Sequence, residues 1–131
     1  MKIIPYLHFS GNCEEALNFY KEIFKAEIGS INRYDNPALN VPEEYKKKIL
    51  HTELTFGDNI IMADDTMPGT TVDYGNGYAL NIQLNGVEEA TLAFNQLAEK
   101  GVVVVPLEKQ FWGSWFGEVI DCFGIRWMLM C

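Results

Sequence analysis

The same order of elements, β-α-β-β-β, can be read twice along this chain of 131 residues, and the repetition restricts the fold more than any other feature. In the first copy, an apolar run from Ile3 to Phe9 predicts a half-buried strand. Further strands are predicted over residues 26–34, 49–56 and 59–63, with residues 57–59 as a tight turn. A helix between the first two strands is predicted from apolar residues at three-and-four spacing: Ala16, Phe19, Tyr20, Ile23 and Phe24.

The second copy begins at Tyr78 and repeats this order to Met130. Strands are predicted over residues 78–84, 102–105, 116–120 and 125–130, with a turn over residues 121–124. Pro106 is expected to weaken the end of its strand, because proline cannot donate a hydrogen bond to a sheet. The helical stripe of this copy consists of Ala90, Phe94, Leu97 and Ala98.

Short motifs mark the ends of the helices. Asn12 with Glu15, and Asn85 with Glu88, have the spacing of a capping box, and Gly101 is predicted to be the C-cap of the second helix. The chain is therefore expected to be a single α+β domain of two tandem βαβββ modules that form curved mixed sheets. Module one covers about 1–64, a linker rich in turn-forming residues about 65–77, and module two about 78–131. The irregular residues 35–48 are either a lid or a plain flexible insertion.

Charge and composition limit the partners. Eighteen acidic and ten basic residues give a net charge of -8, which repels nucleic acid and anionic lipid. The chain has neither a signal-peptide pattern nor an apolar run long enough for a membrane helix, so a cytoplasmic protein is expected. Its three cysteines show no Cys-x-x-Cys spacing and are expected to be reduced thiols. For Cys13, in the first helical turn, a reactive thiolate is an alternative, because the start of a helix favours the charged form of a thiol.

Several longer motifs resemble one family. They are residues 6–20 (YLHFSGNCEEALNFY), 57–64 (GDNIIMAD), 106–107 with 110–113 (PL, QFWG), 116–121 (FGEVID) and 123–127 (FGIRW). Together they resemble the PhnB-like branch of the vicinal oxygen chelate superfamily, which includes glyoxalase I, extradiol dioxygenases and bleomycin-binding proteins. The family also carries a demethylubiquinone-methyltransferase label. We do not expect that activity, because the chain contains no glycine-rich nucleotide loop.

The resemblance implies a divalent metal held by the first and last strands of each module. The corresponding positions fall near Ile4 or Pro5, near Ala63, near Ala79 or Leu80, and near Met128, and none of these side chains binds a hard cation. A shift of one residue would bring in Asp64. We therefore assign no metal ligand and expect no cofactor. A non-classical divalent site, with His8 or His51 and Glu118, stays open as an alternative.

Polar side chains on predicted strands are the candidates for catalysis. His51 and Glu53 share a strand face by alternation, and Glu118 lies on the corresponding strand of module two. They are either a polar floor or proton-transfer couple in a cup, or hydrogen-bonded residues on a wet sheet face.

Aromatic residues crowd between positions 111 and 127. Trp112 and Trp115 are expected to line a pocket or an interface, with core packing as the alternative. The full set of predicted ligand-binding residues is Tyr6, Met62, Gln83, Gln110, Trp112, Trp115 and Trp127.

Three functions follow from these features. The first is a metal-free protein that binds a small, partly aromatic molecule. The second is a metal-dependent lyase, isomerase or dioxygenase, and the third is a protein-interaction module. The resemblance also implies a homodimer, because modules of this kind pair within or between chains.

Overall fold

A computed structural model describes residues 1–131, and the chain divides into two compact units, residues 1–73 and 74–131. Neither of its two α-helices is long and apolar enough to cross a membrane. The elements of the first unit are β1 (Tyr6–Phe9), α1 (Cys13–Phe24), β2 (Glu27–Ile28), β3 (Asn32–Arg33), β4 (Ile49–Phe56) and β5 (Asn59–Asp65). Those of the second are β6 (Leu80–Gln83), α2 (Val87–Ala98), β7 (Val102–Lys109), β8 (Trp115–Ile120) and β9 (Arg126–Met130).

The first unit is a mixed sheet with one helix on one face. The strand order is β1-β5-β4-β2, and β3 also pairs with β4. The β1–β5 pair is parallel and the other pairs are antiparallel. Burial alternates along the strands, as a sheet with one covered face requires. The core of the unit comprises Leu7, Phe9, Ala16, Leu17, Tyr20, Leu54, Ile61 and Ala63, among others.

The strand predicted over residues 26–34 is interrupted in the structure. Gly29 still donates its N–H to the carbonyl of Glu53 at 2.8 Å. The next carbonyl, that of Ser30, accepts from the hydroxyl of Thr52 at 3.1 Å instead of from a backbone N–H. The ladder is therefore broken between β2 and β3, which pair with successive parts of β4.

The stretch from 35 to 48 is held to the rest of the first unit. It contains two short 3₁₀ turns, Pro37–Leu39 and Glu43–Tyr45. The Tyr45 ring packs edge-on against Tyr34 at 5.2 Å, and its hydroxyl donates to the carbonyl of Thr66. Lys48 donates from Nζ to the carbonyl of Gly11 at 2.6 Å. The second half of the stretch is thus part of the packed unit.

A buried carboxylate caps α1. Asp65, assigned from the sequence to the linker, is the last residue of β5 and is 1% exposed. Its Oδ1 accepts the N–H of Cys13 at 2.9 Å, and its Oδ2 accepts the N–H of Ile49 at 2.8 Å. Asn12 makes no side-chain cap, so the predicted capping box is wrong. A residue distant in the sequence satisfies the first N–H of the helix instead.

Replacing Asp65 by Asn should destabilise the protein by about 2–3 kcal/mol, because one of the two buried N–H groups would face an amide NH₂. Urea unfolding followed by circular dichroism measures the change. Asp64→Asn is the matched control, since this neighbour lies on the other face and is 18% exposed, and it should cost less than about 1 kcal/mol. Equal losses for the two variants would contradict the role assigned to Asp65.

Burial also removes Cys13 from the candidates for a reactive thiol. Its side chain is fully buried, and burial, followed by the charge of Asp65, raises the pKa of the thiol far above its ordinary value. A neutral buried thiol is a poor nucleophile. The helix start therefore does not activate this residue.

The second unit is a four-stranded sheet in the order β6-β9-β8-β7, with α2 on one face. The β6–β9 pair is parallel and the others are antiparallel. Its core consists of Ala90, Ala93, Phe94, Leu97, Val119, Ile125, Trp127 and Leu129.

The ends of α2 differ from the prediction. The helix begins at Val87, and the N–H of Asn85 is bonded by Glu89 at 3.2 Å rather than by Glu88. The helix ends at Ala98, before Gly101. Gly101 is needed for another reason: a Cβ there would lie 2.4 Å from the carbonyl oxygen of Ile120.

β7 runs past Pro106 to Lys109, further than predicted. β7 is an edge strand, and proline is tolerated in an edge strand where its backbone nitrogen points away from the sheet. No hydrogen bond between strands is lost at such a position. Register shifts between Val103 and Glu108 accommodate the proline.

The predicted turn after β8 is confirmed. Asp121 is 3% exposed, and its Oδ1 accepts the N–H groups of Phe123 and Ile125 at 2.8 and 3.0 Å. Its Oδ2 accepts the indole N–H of Trp127 at 2.8 Å. One carboxylate thus closes the turn and fixes the largest core side chain of the unit.

Candidate functional site

The sheet of the first unit has one face that α1 does not cover. Leu7 and Phe9 of β1 point to the helix, so Tyr6 and His8 point away from it. Met62 and Asp64 of β5 do the same between buried neighbours, as do His51 and Glu53 of β4. We call these six residues the open-face cluster: Tyr6, His8, His51, Glu53, Met62 and Asp64.

Strand register places the cluster in rows. Tyr6 lies opposite Met62, which on its other side lies opposite Glu53. His8 lies opposite Asp64. Side chains in such cross-strand positions are close enough to touch. Residues from three strands, separated by up to 58 positions in the sequence, therefore share one small surface.

Two hydrogen-bonded pairs and three rings make up the polar part of the cluster. The Tyr6 hydroxyl donates to Nδ1 of His51 at 3.0 Å, and Nδ1–H of His8 donates to Oδ1 of Asp64 at 2.8 Å. Ring centroids lie 5.0 Å apart for Tyr6 and His8 and 5.7 Å apart for Tyr6 and His51, with tilted planes. Tyr6 thus touches both histidines and links the two pairs.

The environment keeps Tyr6 protonated. Burial, followed by the negative charge of Asp64, raises the pKa of the phenol to about 12. At neutral pH the group is therefore a hydrogen-bond donor and not a phenolate base.

Tyr6 should titrate with a pKa of about 12 in the folded protein, against an ordinary value of 10. Because the folded state holds the proton more tightly, the stabilisation is fully present below pH 10 and is lost as the pH rises to about 12. Tyrosinate absorbance of the native protein minus that of Tyr6→Phe isolates this group. Asp64→Asn should lower the pKa only in part, since burial is the larger cause; an unchanged value would contradict the assigned contribution of Asp64.

The residues present do not fit the divalent metal that the resemblance implies. Ala63 is buried on the helix side, and Asp64, one position on, faces the open side but is bonded to His8. Met128 occupies the uncovered face of the second unit. No group of three or more His, Cys, Asp or Glu side chains is placed to hold a metal ion.

The remaining predicted catalytic residues are brought together only in part. His51 and Glu53 do lie on one face, but the hydrogen bond of His51 goes to Tyr6 and not to Glu53. Glu118 belongs to the second unit, where its Oε1 accepts from Nη1 of Arg126 at 3.1 Å. The sequence reading passed over Arg126, although strand alternation with Trp127 and Met128 marks it as an uncovered position.

The predicted ligand-binding aromatics occupy three different environments. Trp127 is 1% exposed in the core, so it does not line a cavity as predicted, because its phase on β9 points it to α2. Trp115 is half-buried at the start of β8. Trp112 is 53% exposed at the β7–β8 connection, edge-on to Phe111 at 4.9 Å.

Of the two predicted glutamines, Gln83 is exposed and Gln110 is half-buried, and both belong to the second unit. Gln83 is exposed on β6 opposite Met130, on the uncovered face. Gln110 donates from its amide nitrogen to the carbonyl of Glu108 at 3.0 Å, a local bond that shapes the β7–β8 connection.

An open depression of about 530 Å³ lies beside β3. None of the predicted site residues lines it; its walls are Ile31, Asn32, Arg33, Asp35, Asn36 and Leu50. Arg33 is engaged there by a two-bond pair with Glu14 of α1 at 3.0 Å.

A family model described as 3-demethylubiquinone-9 3-methyltransferase matches residues 1–130 of the chain. The chain belongs to this family. A PhnB protein carries the same description, so the match confirms the PhnB-like resemblance drawn from the sequence.

Similar proteins align over nearly the whole chain. Protein YjdN of Escherichia coli (strain K12) is 30% identical, over 98% of this chain and 94% of the relative. The crystal structure of protein PA1353 from Pseudomonas aeruginosa has 35% identity and a TM-score of 0.88, covering 100% and 97% of the two chains. A PhnB protein from Bacillus cereus, described as a putative 3-demethylubiquinone-9 3-methyltransferase, has 31% identity and a TM-score of 0.86 over 98% of both chains.

A more distant structure connects the PhnB-like chain to the superfamily fold. It is a glyoxalase/bleomycin resistance protein/dioxygenase family enzyme from Burkholderia phytofirmans PsJN, with 12% identity and a TM-score of 0.63, covering 95% of this chain and 94% of that chain. At this identity the likeness shows the fold alone, and it confirms the α+β fold class.

Proposed function

We propose that the protein binds a small, partly aromatic molecule on the open-face cluster of its first unit, without a metal ion. The observation that carries this proposal is a group of three rings on an uncovered sheet face, in which the centroid of Tyr6 lies 5.0 Å from that of His8 and 5.7 Å from that of His51. A soluble domain gains nothing in core packing from rings in this position. Such rings offer a planar ligand flat and edge-on contacts.

The polar groups of the cluster define the ligand further. Asp64 and Glu53 supply acceptor oxygens, and the Tyr6 hydroxyl, whose hydrogen goes to His51, supplies a further acceptor. The only arginine of the first unit, Arg33, is paired with Glu14. A ring that carries hydroxyl or amino groups would match these partners, and Met62 between the rows adds an adaptable apolar contact.

Catechol, a ring with two adjacent hydroxyls, is a suitable first probe. Titrated into ¹⁵N-labelled protein, it should shift the amide signals of Tyr6, His8, His51 and Met62. Tyr6→Ala should weaken binding about tenfold or more, because one ring contact and one hydrogen bond are lost. Trp112→Ala is the matched control: it removes an exposed ring from the second unit and should leave binding unchanged.

The same titration separates the competing functions. Binding that persists in EDTA supports the metal-free proposal, whereas binding lost in EDTA and restored by a divalent ion would point to the metal-dependent alternative. Shifts confined to residues 110–116 would place the ligand on the β7–β8 connection and reject the open-face cluster.

A proton-transfer enzyme is a second candidate, favoured by the His8–Asp64 pair. Because Nδ1–H donates to the carboxylate, Nε2 is the basic nitrogen of the ring. A histidine oriented in this way can take a proton from a bound hydroxyl. If the native protein chemically converts a bound probe and Asp64→Asn does not, the protein is an enzyme and not only a binding protein.

We further propose a homodimer that acts in the cytoplasm, with β7 at the dimer interface. β7 is an edge strand, and Val102, Val103 and Val104 are 59%, 47% and 40% exposed. Exposed edges with branched apolar side chains favour pairing with another chain. Light scattering should give twice the 14.9 kDa chain mass, and Val102→Lys with Val104→Lys should give a monomer.

Leu92→Lys, at an equally exposed apolar position on α2, is the control and should stay dimeric. A monomeric native protein would reject the dimer, and a dimer unaffected by the valine changes would reject β7 as its interface.

A further inference from the structure

Arg126 forms an ion pair with Glu118 on the uncovered face of the second unit. It begins β9, opposite Ile120 of β8, and the next residue, Trp127, points to the helix side. Its Nη1 donates to Glu118 at 3.1 Å, and the two side chains are only 18% and 17% exposed. The pair is therefore largely removed from water.

One edge of this guanidinium lacks a partner. Nε of Arg126 is buried and makes no hydrogen bond, whereas buried donors are normally satisfied. The Tyr78 hydroxyl accepts from the backbone N–H of Arg126 at 3.3 Å and not from its side chain. Glu118 occupies Nη1, so the Nε edge is the unsatisfied part of a group built to bind two oxygens at once.

We propose that Arg126 binds the carboxylate of a small organic acid through this edge, while Glu118 holds the guanidinium in position. The site lies in the second unit and does not depend on the open-face cluster. Two of the neighbouring positions on the same face, Ile120 and Met128, are apolar. An apolar surround favours an organic acid over a fully hydrated inorganic phosphate.

Access to the edge requires a side-chain movement, because Nε is closed to solvent. The partly exposed end of the guanidinium makes the first contact, and Nε acquires its partner as the ligand settles. Binding should therefore move the Nε–H resonance of Arg126 in particular.

The test is a titration of the full chain with sodium benzoate, followed by the ¹⁵N–¹H signals of arginine Nε groups. The signal assigned to Arg126, identified by its loss in Arg126→Lys, should shift with saturation. Arg126→Met should weaken benzoate binding about tenfold or more. Arg33→Met, which removes another paired arginine, should leave it unchanged.

Glu118→Gln distinguishes a binding site from a structural pair. If the pair were only structural, this change would lower the melting temperature and leave the affinity for benzoate unchanged. In a binding site, Glu118→Gln keeps an acceptor oxygen that holds Nη1 of Arg126 in position and removes only the negative charge that repels benzoate, so benzoate binding should tighten even if the protein becomes less stable.

Benzoate that binds equally well to Arg126→Met, provided its circular dichroism matches the native protein, would overturn the proposal. So would a shift of the Arg33 signal in place of that of Arg126. Inorganic phosphate at the same concentration should leave the Arg126 signal unmoved; stronger binding of phosphate than of benzoate would reject the carboxylate class.

Discussion

The buried carboxylate of Asp65 is the interaction on which the first unit depends. Charge inside a protein is costly unless every oxygen is bonded, and here the two oxygens accept N–H groups from the start of α1 and the start of β4. Its carbonyl also accepts the Tyr34 hydroxyl at 2.6 Å. Helix, sheet and the segment before the 35–48 stretch thus meet at one residue, and the direction of each chain segment is fixed there.

Asp121 is the corresponding buried hydrogen-bond acceptor of the second unit, but its contacts are different. Its carboxylate folds back on its own turn and reaches the indole of Trp127. The repeated order of elements therefore does not imply repeated contacts. Each module has a buried aspartate near its last pair of strands, but at a different point: Asp65 ends the last strand of the first module, and Asp121 follows the second-last strand of the second.

These anchored cores leave one face of each sheet uncovered, and the functional candidates lie there. On the first, three rings and two carboxylates from β1, β4 and β5 come together. On the second, a guanidinium and a carboxylate form a half-buried pair with an unsatisfied Nε. The two faces differ in charge and hydrogen-bonding character, which suits different chemical groups.

The similarity to other members of the family is a property of the whole fold. Their similarity extends over whole chains, so it accounts for the fold and the position of the uncovered faces. A shared fold leaves function to a few side chains on those faces, and the proposed ligands are matched to these.

The sequence by itself determined the order of elements, the two amphipathic helices and the turn at Asp121, because periodicity and turn chemistry are local properties. Only the tertiary structure decided that Asp65 caps α1, that Gly101 serves a close backbone approach, and that Trp127 is core. It also paired Tyr6 with His51 and His8 with Asp64. Each of these depends on strand register and on which face a side chain takes, and a shift of one residue reverses the face.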